Sequence, residues 1–164
     1  MKILAISDTH GVIYKAEKVI KSINGINLII HLGDYIRDAH RLSNIFPEIP
    51  IECTLGNCDY AASDTPLDKV LEYNGIRILV THGHRYSVKC DYDKLYRKAE
   101  EAGAHLVLFG HTHIADITMK NGVYLVNPGS ISFPRNNCSE SYAIIELNDE
   151  RIRPELFSIK MAEW

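Results

Sequence analysis

The sequence lacks any apolar run approaching the roughly 20 residues that span a bilayer, so no membrane partner is expected. It also lacks a basic cluster: 18 Lys and Arg stand against 21 Asp and Glu, a formal net charge of -3. That balance argues against a general binder of nucleic acid or anionic membrane surfaces, and no stable nucleic-acid complex is expected. Cysteine is scarce. Cys53, Cys58, Cys90 and Cys138 are the four present, and no two form a Cys-x-x-Cys pair. A chain of 164 residues buries enough surface to fold without disulfide staples, so free thiols in a reducing compartment are the simple reading. Met1 to Ser7 is too short for a signal-peptide core, and a cytoplasmic location is expected. No linker, internal repeat or low-complexity stretch interrupts the chain. One domain over 1–164, without a cap domain, is expected.

What is present is a series of short apolar runs, each ending in polar residues. Lys2 to Ser7, Leu28 to Leu32, Ile49 to Leu55 and Leu106 to Phe109 read as strands, mostly covered on both faces. Tyr14 to Asn24 keeps helical spacing through Ala16, Val19, Ile20 and Ile23, with Asn24-Gly25 to end it. A second helix is expected over Ile36 to Ile45, stopped by Pro47. A third is expected over Asp91 to Ala102, with Asp91 as its cap and Gly103 past its end. Its stripe of Tyr92, Leu95, Tyr96 and Ala99 reads as core. Residues 59–66 read as a polar loop. Three hairpins follow from turn signals: Lys69–Tyr73 with Arg77–Thr81 about Asn74-Gly75, Ala115–Lys120 with Val123–Asn127 about Asn121-Gly122, and Tyr142–Leu147 with Arg151–Ser158 about Asn148-Asp149. Strand and helix alternate in the first half, and hairpins dominate the second. One sheet would leave the hairpin faces bare. The expected architecture is therefore an α/β fold, a four-layer α-β-β-α sandwich of two facing mixed sheets with helices outside.

The polar residues at the strand ends carry chemistry. Five apolar strands end in Asp8 and His10, in Asp34, in Asn57, in His82, and in His111 and His113. In open α/β sheets the carboxyl ends of strands form the ligand crevice, so these distant residues could meet at one edge. Each has a bland alternative. Asp8 could cap a segment, Asp34 could begin a helix, Asn57 could make an Asx-turn, and His82 could be a satisfied loop histidine. Folding alone does not ask for ligand types at every strand end. Seven oxygen and nitrogen donors exceed one tetrahedral ion and suit two ions that share a carboxylate. Carboxylate, amide and imidazole without thiolate point to Mn, Fe, Ni or Zn. Two such ions roughly 3.5–4 Å apart activate a water and clamp the oxygens of an in-line displacement. That chemistry suits phosphate-ester hydrolysis.

Asp8-x-His10, Gly33-Asp34, Gly56-Asn57-x-Asp59, His82-Gly83-His84 and Gly110-His111-x-His113 resemble the calcineurin-like metallophosphoesterase superfamily. The small size and the Gly-Asn-Cys-Asp form are similar to its YfcE-type phosphodiesterase branch. The resemblance runs from Met1 through Asn127-Pro128-Gly129-Ser130. It implies one metal site from Asp8, His10, Asp34 and His113, and a second from Asp34, Asn57, His82 and His111, with Asp34 bridging. It implies two divalent ions per chain, Mn²⁺ foremost, with Ni²⁺, Fe²⁺ or Zn²⁺ as alternatives. A bridging hydroxide would attack a small phosphodiester in line. Asp34, Asn57, Asp59 and His84 are the candidate catalytic residues, with His84 either touching substrate or facing water.

Much of that superfamily has histidine where this chain has Cys58. A thiol is a poor general acid at neutral pH, so no strong acid is expected there. His31 reads as a hydrogen-bonded core histidine, with support of Asp34 as its alternative role. Arg37, Arg85 and Arg135 could neutralise a phosphate, though solvated arginine is the simpler reading. A homo-oligomer is compatible with the sequence. The competing functional class is a non-catalytic protein-interaction module, as in the related retromer subunit. The intact donor set, including His10, favours the enzyme.

Overall fold

The computed structural model describes residues 1–59, 64–148 and 151–159. Along the chain come β1 (Lys2–Ile6), α1 (Tyr14–Ser22), β2 (Leu28–His31), α2 (Ile36–Ile45), β3 (Ile51–Cys53), β4 (Asp68–Tyr73) and β5 (Ile76–Thr81). A 3₁₀ turn over His84–Tyr86 precedes α3 (Asp93–Ala102), β6 (Leu106–Leu108), β7 (Ala115–Lys120), β8 (Val123–Pro128), β9 (Ser141–Asn148) and β10 (Arg151–Ser158). Two five-stranded mixed sheets result, ordered β10-β9-β1-β2-β3 and β4-β5-β6-β8-β7.

Strand alternation builds the layers. In β1, Ile3 and Ala5 face the second sheet, where Ile78, Val80, Leu106, Leu108 and Val126 meet them. Leu4 and Ile6 point the other way, onto Ala16, Val19 and Ile20 of α1 and Leu42 of α2. In β6, Leu106 and Leu108 face inward, while Val107 packs outward with Leu95, Tyr96 and Ala99 of α3. Each central strand is thus apolar on both faces because both faces are covered. This is the expected α-β-β-α sandwich.

Three elements differ from the sequence reading by two residues at an end, and several strands by one. Helix α1 stops at Ser22, two residues before Asn24, because the Ser22 hydroxyl donates to Val19 O (2.8 Å) and Ile23 turns extended to pack on the outer core. Strand β3 keeps only Ile51–Cys53; beyond it the Leu55 amide turns to Pro66 O (3.2 Å). Helix α3 begins at Asp93, and Asp91 Oδ1 accepts from the Asp93 amide at 3.0 Å, capping from one position further out than expected. Residues 60–63 of the expected loop, and Asp149 of the expected Asn148-Asp149 turn, lie outside the described residues.

Candidate metal centre

Strands β1, β2 and β3 run parallel, in register through Ile6 with His31 and His31 with Cys53. Strands β5, β6 and β8 run parallel in the other sheet. The carboxyl ends of each set therefore emerge at one edge. Backbone bonds tie these ends together: Asp8 N to Gly33 O (3.2 Å) in the first sheet and Gly110 N to His82 O (3.1 Å) in the second. Across the sheets, His111 N donates to Asp8 Oδ2 (3.2 Å) and Ser130 Oγ to Asp8 O (2.8 Å). The seven residues expected as metal ligands are gathered there.

Close approach of these loops depends on glycine. A Cβ on Gly56 would run into the amide and carboxylate of Asp34, and one on Gly110 into Ser7 Oγ. The side chains themselves are aimed by unusual backbone. Asp8, His10, Asp34, His111 and His113 all have positive φ, between 46° and 69°. Each such residue costs of order 1–3 kcal/mol and persists only where its surroundings hold it.

The first donor group is Asp8, His10, Asp34 and His113, one atom from each lying within 4.8 Å of all the others. His113 Nδ1 is 2.6 Å from Phe133 O. A carbonyl only accepts, so Nδ1 carries the hydrogen, and in the neutral ring Nε2 presents a lone pair. That lone pair faces Asp8 Oδ1 at 3.1 Å and His10 Nε2 at 3.4 Å. Asp8 Oδ1 is buried and no well-aligned hydrogen bond reaches it. Acceptors this close repel unless a positive charge lies between them. Burial pushes His113 down, but Asp8 outweighs burial and leaves its pKa above the ordinary imidazole range, which favours a positive charge at this place. Burial likewise pushes the Asp8 carboxyl up, but His113, the charge of His82 and the Ser7 hydroxyl hold it below the usual carboxylate range.

The second group repeats the arrangement. His82, fully buried, bonds Leu32 O through Nδ1 (2.7 Å), which bares Nε2 toward Asn57 Oδ1 (3.2 Å) and Asp34 Oδ1 (3.5 Å). The His111 ring lies 5.1 Å from that of His82, centroid to centroid. Burial and the charges of His82 and Lys89 lower its pKa to about 4, so it is neutral. Asp34 joins the groups: Oδ2 is 3.8 Å from His10 Nε2 on one side, while Oδ1 faces His82 on the other. Donor separations of this size match atoms sharing an ion at roughly 2.0–2.2 Å. The residues present fit divalent metal.

The other expected site residues fall into distinct places. Asp59 gives its carboxylate to backbone: Oδ1 accepts from Tyr35 N (2.9 Å) and Ile36 N (2.7 Å), and Oδ2 from Gly56 N (2.9 Å). It caps α2 from afar and holds the Asn57 loop, a positioning role. His84 lies beside His82 and His111, at ring separations of 5.4 Å and 6.1 Å, with Nδ1 buried and unbonded. His31 is buried between Thr9 Oγ1 (3.1 Å) and the Gly33 amide (3.3 Å), and burial lowers its pKa to about 4. It is the hydrogen-bonded core histidine. Cys58 is exposed and its amide donates to Asp34 Oδ1 (2.8 Å). In the protein without metal, burial of its thiol and the Asp34 carboxylate push that thiol up to about 11. Arg37 is exposed, and exposed Arg85 lies 3.9 Å from Asp68.

Sequence reasoning missed several supports. Ser7 Oγ donates to Asp8 Oδ2 (2.5 Å), and Asn127 Nδ2 holds Gly110 O (2.9 Å) and Thr112 Oγ1 (3.0 Å). Tyr35 and Phe133 set their rings edge-on to His10, at 5.3 Å and 5.7 Å. The donors open into a cavity of about 590 Å³, whose wall includes these two aromatics, Cys58, Lys89 and Arg135.

Comparison with known proteins agrees with this geometry. Residues 1–150 match the calcineurin-like phosphoesterase superfamily domain. The chain is 38% identical to a probable metallophosphoesterase, YsnB of Bacillus subtilis, over 92% of this chain and 86% of that protein. It is 25% identical to the phosphodiesterase YfcE of Escherichia coli, over 93% and 95% of the two. A predicted phosphoesterase from Streptococcus pneumoniae superposes with a TM-score of 0.81 at 28% identity, covering 96% of this chain and 88% of that one. Vps29 of Entamoeba histolytica, solved with Zn²⁺, shares the fold with a TM-score of 0.78 at 19% identity, covering 96% and 99%. The chain belongs to the calcineurin-like phosphoesterase superfamily. It is thus a metallophosphoesterase-family protein with a cluster of Asp and His able to hold a divalent ion. Among the described residues no helix is long and apolar enough to cross a membrane.

Proposed function

We propose that this chain is a cytoplasmic, dinuclear, Mn²⁺-dependent phosphodiesterase acting on small phosphodiesters. The observation that carries it is the split carboxylate of Asp34, with Oδ2 toward His10 and Oδ1 toward His82, between two sets of bare imidazole nitrogens. Asp8, His10, Asp34 and His113 would hold one ion, and Asp34, Asn57, His82 and His111 the other. Bound there, divalent metal supplies an ionised water and draws charge from the phosphoryl oxygens. The chain does the rest. Leu32 O and Phe133 O fix the tautomers of His82 and His113. Ser7, the His111 amide and the Cys58 amide hold the two carboxylates in place. The reading as a diesterase is supported by the phosphodiesterase relative, and the cytoplasm by four free thiols. The resemblance to Vps29 keeps a non-catalytic role as the alternative outcome.

The test is hydrolysis of mono-, di- and cyclic phosphoesters after chelation and Mn²⁺ reloading, with metal counted by elemental analysis. Two ions per chain and preferred turnover of diesters are expected. Asp34→Ala should lose metal from both sites and at least 100-fold in rate. Two bound ions without turnover of any ester would indicate the binding module.

A further inference from the structure

A second cavity of about 670 Å³ adjoins the first, and Lys89 and Arg135 belong to the walls of both. Each is placed by a fixed loop. Val88 is buried against the α3 side of the core, and Cys90 N bonds Ser87 O (2.8 Å), which fixes the backbone on both sides of Lys89. The Arg135 amide donates to His113 O (3.3 Å) and its carbonyl accepts from Cys138 N (3.0 Å). Lys89 and Arg135 line the same cavity as His111 and His113. Both cations therefore flank the candidate metal centre at its border with the second cavity.

Among the described residues neither cation has a carboxylate within 4.0 Å. Elsewhere on the surface Lys69 is paired with Glu52 (2.5 Å), Lys120 with Asp93 (2.9 Å) and Arg153 with Glu155 (2.8 Å). A simple phosphodiester carries one negative charge, which two divalent ions already meet. Arg37 and Arg151 also lack a carboxylate partner among the described residues; what sets Lys89 and Arg135 apart is that both line the cavity into which the candidate ligands open, where a second anionic group would meet them. Arginine and lysine together favour phosphoryl oxygens, one through its planar fork and the other as a point charge.

The acidic lining of the second cavity limits where that anion lies. It carries Asp91, bonded to the Asp93 amide, and Asp116, which accepts from Thr118 Oγ1 (2.9 Å). Carboxylates there repel an anion lying deeper. We propose that Lys89 and Arg135 form an anion-binding ridge, and that the substrate is a phosphodiester bearing a second phosphoryl group seated on it. The uncharged remainder of that arm would lie in the second cavity. This rests on the phosphodiesterase reading above.

The test compares the thymidine dinucleotide TpT with its 5′-phosphorylated form pTpT, which share one scissile diester. With Mn²⁺ loaded, pTpT should show at least tenfold higher kcat/KM, carried by KM. In the Lys89→Ala/Arg135→Ala double variant the ratio should fall to within twofold, while Arg151→Ala keeps it. A second readout needs no turnover: chelated protein titrated calorimetrically should bind pTpT at least fivefold more tightly than TpT. The difference should vanish in the double variant and shrink with added salt. Equal kcat/KM for the two dinucleotides in the parent, or a preference that survives the double variant, overturns the ridge. So does failure of chelated protein to bind pTpT. Hydrolysis of bis(p-nitrophenyl) phosphate separates the two readings. Its absence sinks the esterase reading, whereas calorimetry still judges the ridge.

Discussion

His31 shows how completely a single residue's protonation can be set by its place in a fold. Its ring is fully buried between Thr9 and Gly33, and burial lowers its pKa to about 4. Unfolded, the same ring titrates near 6.5. The unfolded chain therefore binds more protons between those values, and stability rises with pH across that window. His31's contribution is fully present above pH 6.5 and is lost as pH falls through about 4. The shift corresponds to roughly 3 kcal/mol. Urea midpoints of chelated protein should drop between pH 6.5 and 4, and His31→Gln should flatten that slope while lowering stability at pH 7. An unchanged slope in the variant would remove His31 from the account. His113 works in the opposite sense, since its pKa is raised; its contribution is present below 6.5 and lost above its folded value. Cys58 presents a different residue-scale question. A thiol is a poor match for general-acid work at neutral pH, and the protein without metal holds this one up at about 11. Aryl diesters, which need little protonation on leaving, should react much faster than alkyl ones. Cys58→His should narrow the gap by helping poor leaving groups, and Cys58→Ala should change aryl turnover little. If the parent's rate depends weakly on leaving-group pKa and Cys58→Ala makes it depend strongly, Cys58 is itself the acid.

At the scale of elements, the strand ends act as mounts whose positions the sheets dictate. Strand β6 cannot shift, because Leu106 and Leu108 are locked into the layer between the sheets. Gly110, just beyond it, sits so close to β1 that an added methyl would strike Ser7 and come within 2.9 Å of Asp8 Oδ2. Gly110→Ala should thus weaken Mn²⁺ binding at least tenfold by displacing Asp8. It should cost the fold only about 1–3 kcal/mol, as other overpacking changes do. Metal titration and urea unfolding of the variant measure the two effects separately; unaltered metal affinity would mean that Asp8 is held by something other than this contact. The same geometry explains what could be read beforehand. Central strands were legible because apolar residues fill both faces, and the turns at Asn74-Gly75 and Asn121-Gly122 because all four residues adopt the positive φ that such pairs tolerate. The candidate ligands were legible because each stands within a few residues of a strand end. Asn127 and Ser130 were not, since their amide and hydroxyl matter only through the loop folded opposite; nor was Ser7, because sequence does not show its hydroxyl turning onto the carboxylate next to it. Lys89 and Arg135 sit in aperiodic loops, where sequence says nothing of the direction a long side chain takes. Helix ends were misjudged where a side chain competed with the backbone, as the Ser22 hydroxyl does at Val19 O.

At the scale of the whole molecule, the two sheets have an apolar layer between them and a polar seam at one edge. The first sheet brings Asp8, His10, Asp34 and Asn57 to that seam, and the second brings His82, His111 and His113. Acceptors face one another there, and several backbones are held in left-handed conformations to aim them. Metal binding would therefore act as a clamp between the sheets as well as a source of chemistry. A ligand that binds only the folded state stabilises it by about 2.7 kcal/mol at a hundredfold excess over Kd. For a domain of this size that is a rise in Tm of roughly 5–10 °C per site. Chelated protein titrated with Mn²⁺ should show this rise in a thermal melt, and the rise should be smaller at pH 5.5, where protons compete for the imidazoles. His111→Ala, which truncates a half-exposed ring of the second sheet, should leave the metal-free Tm nearly unchanged and lose a large part of the Mn²⁺-induced rise. If the full rise survives in that variant, His111 holds no ion and the second site as drawn is wrong.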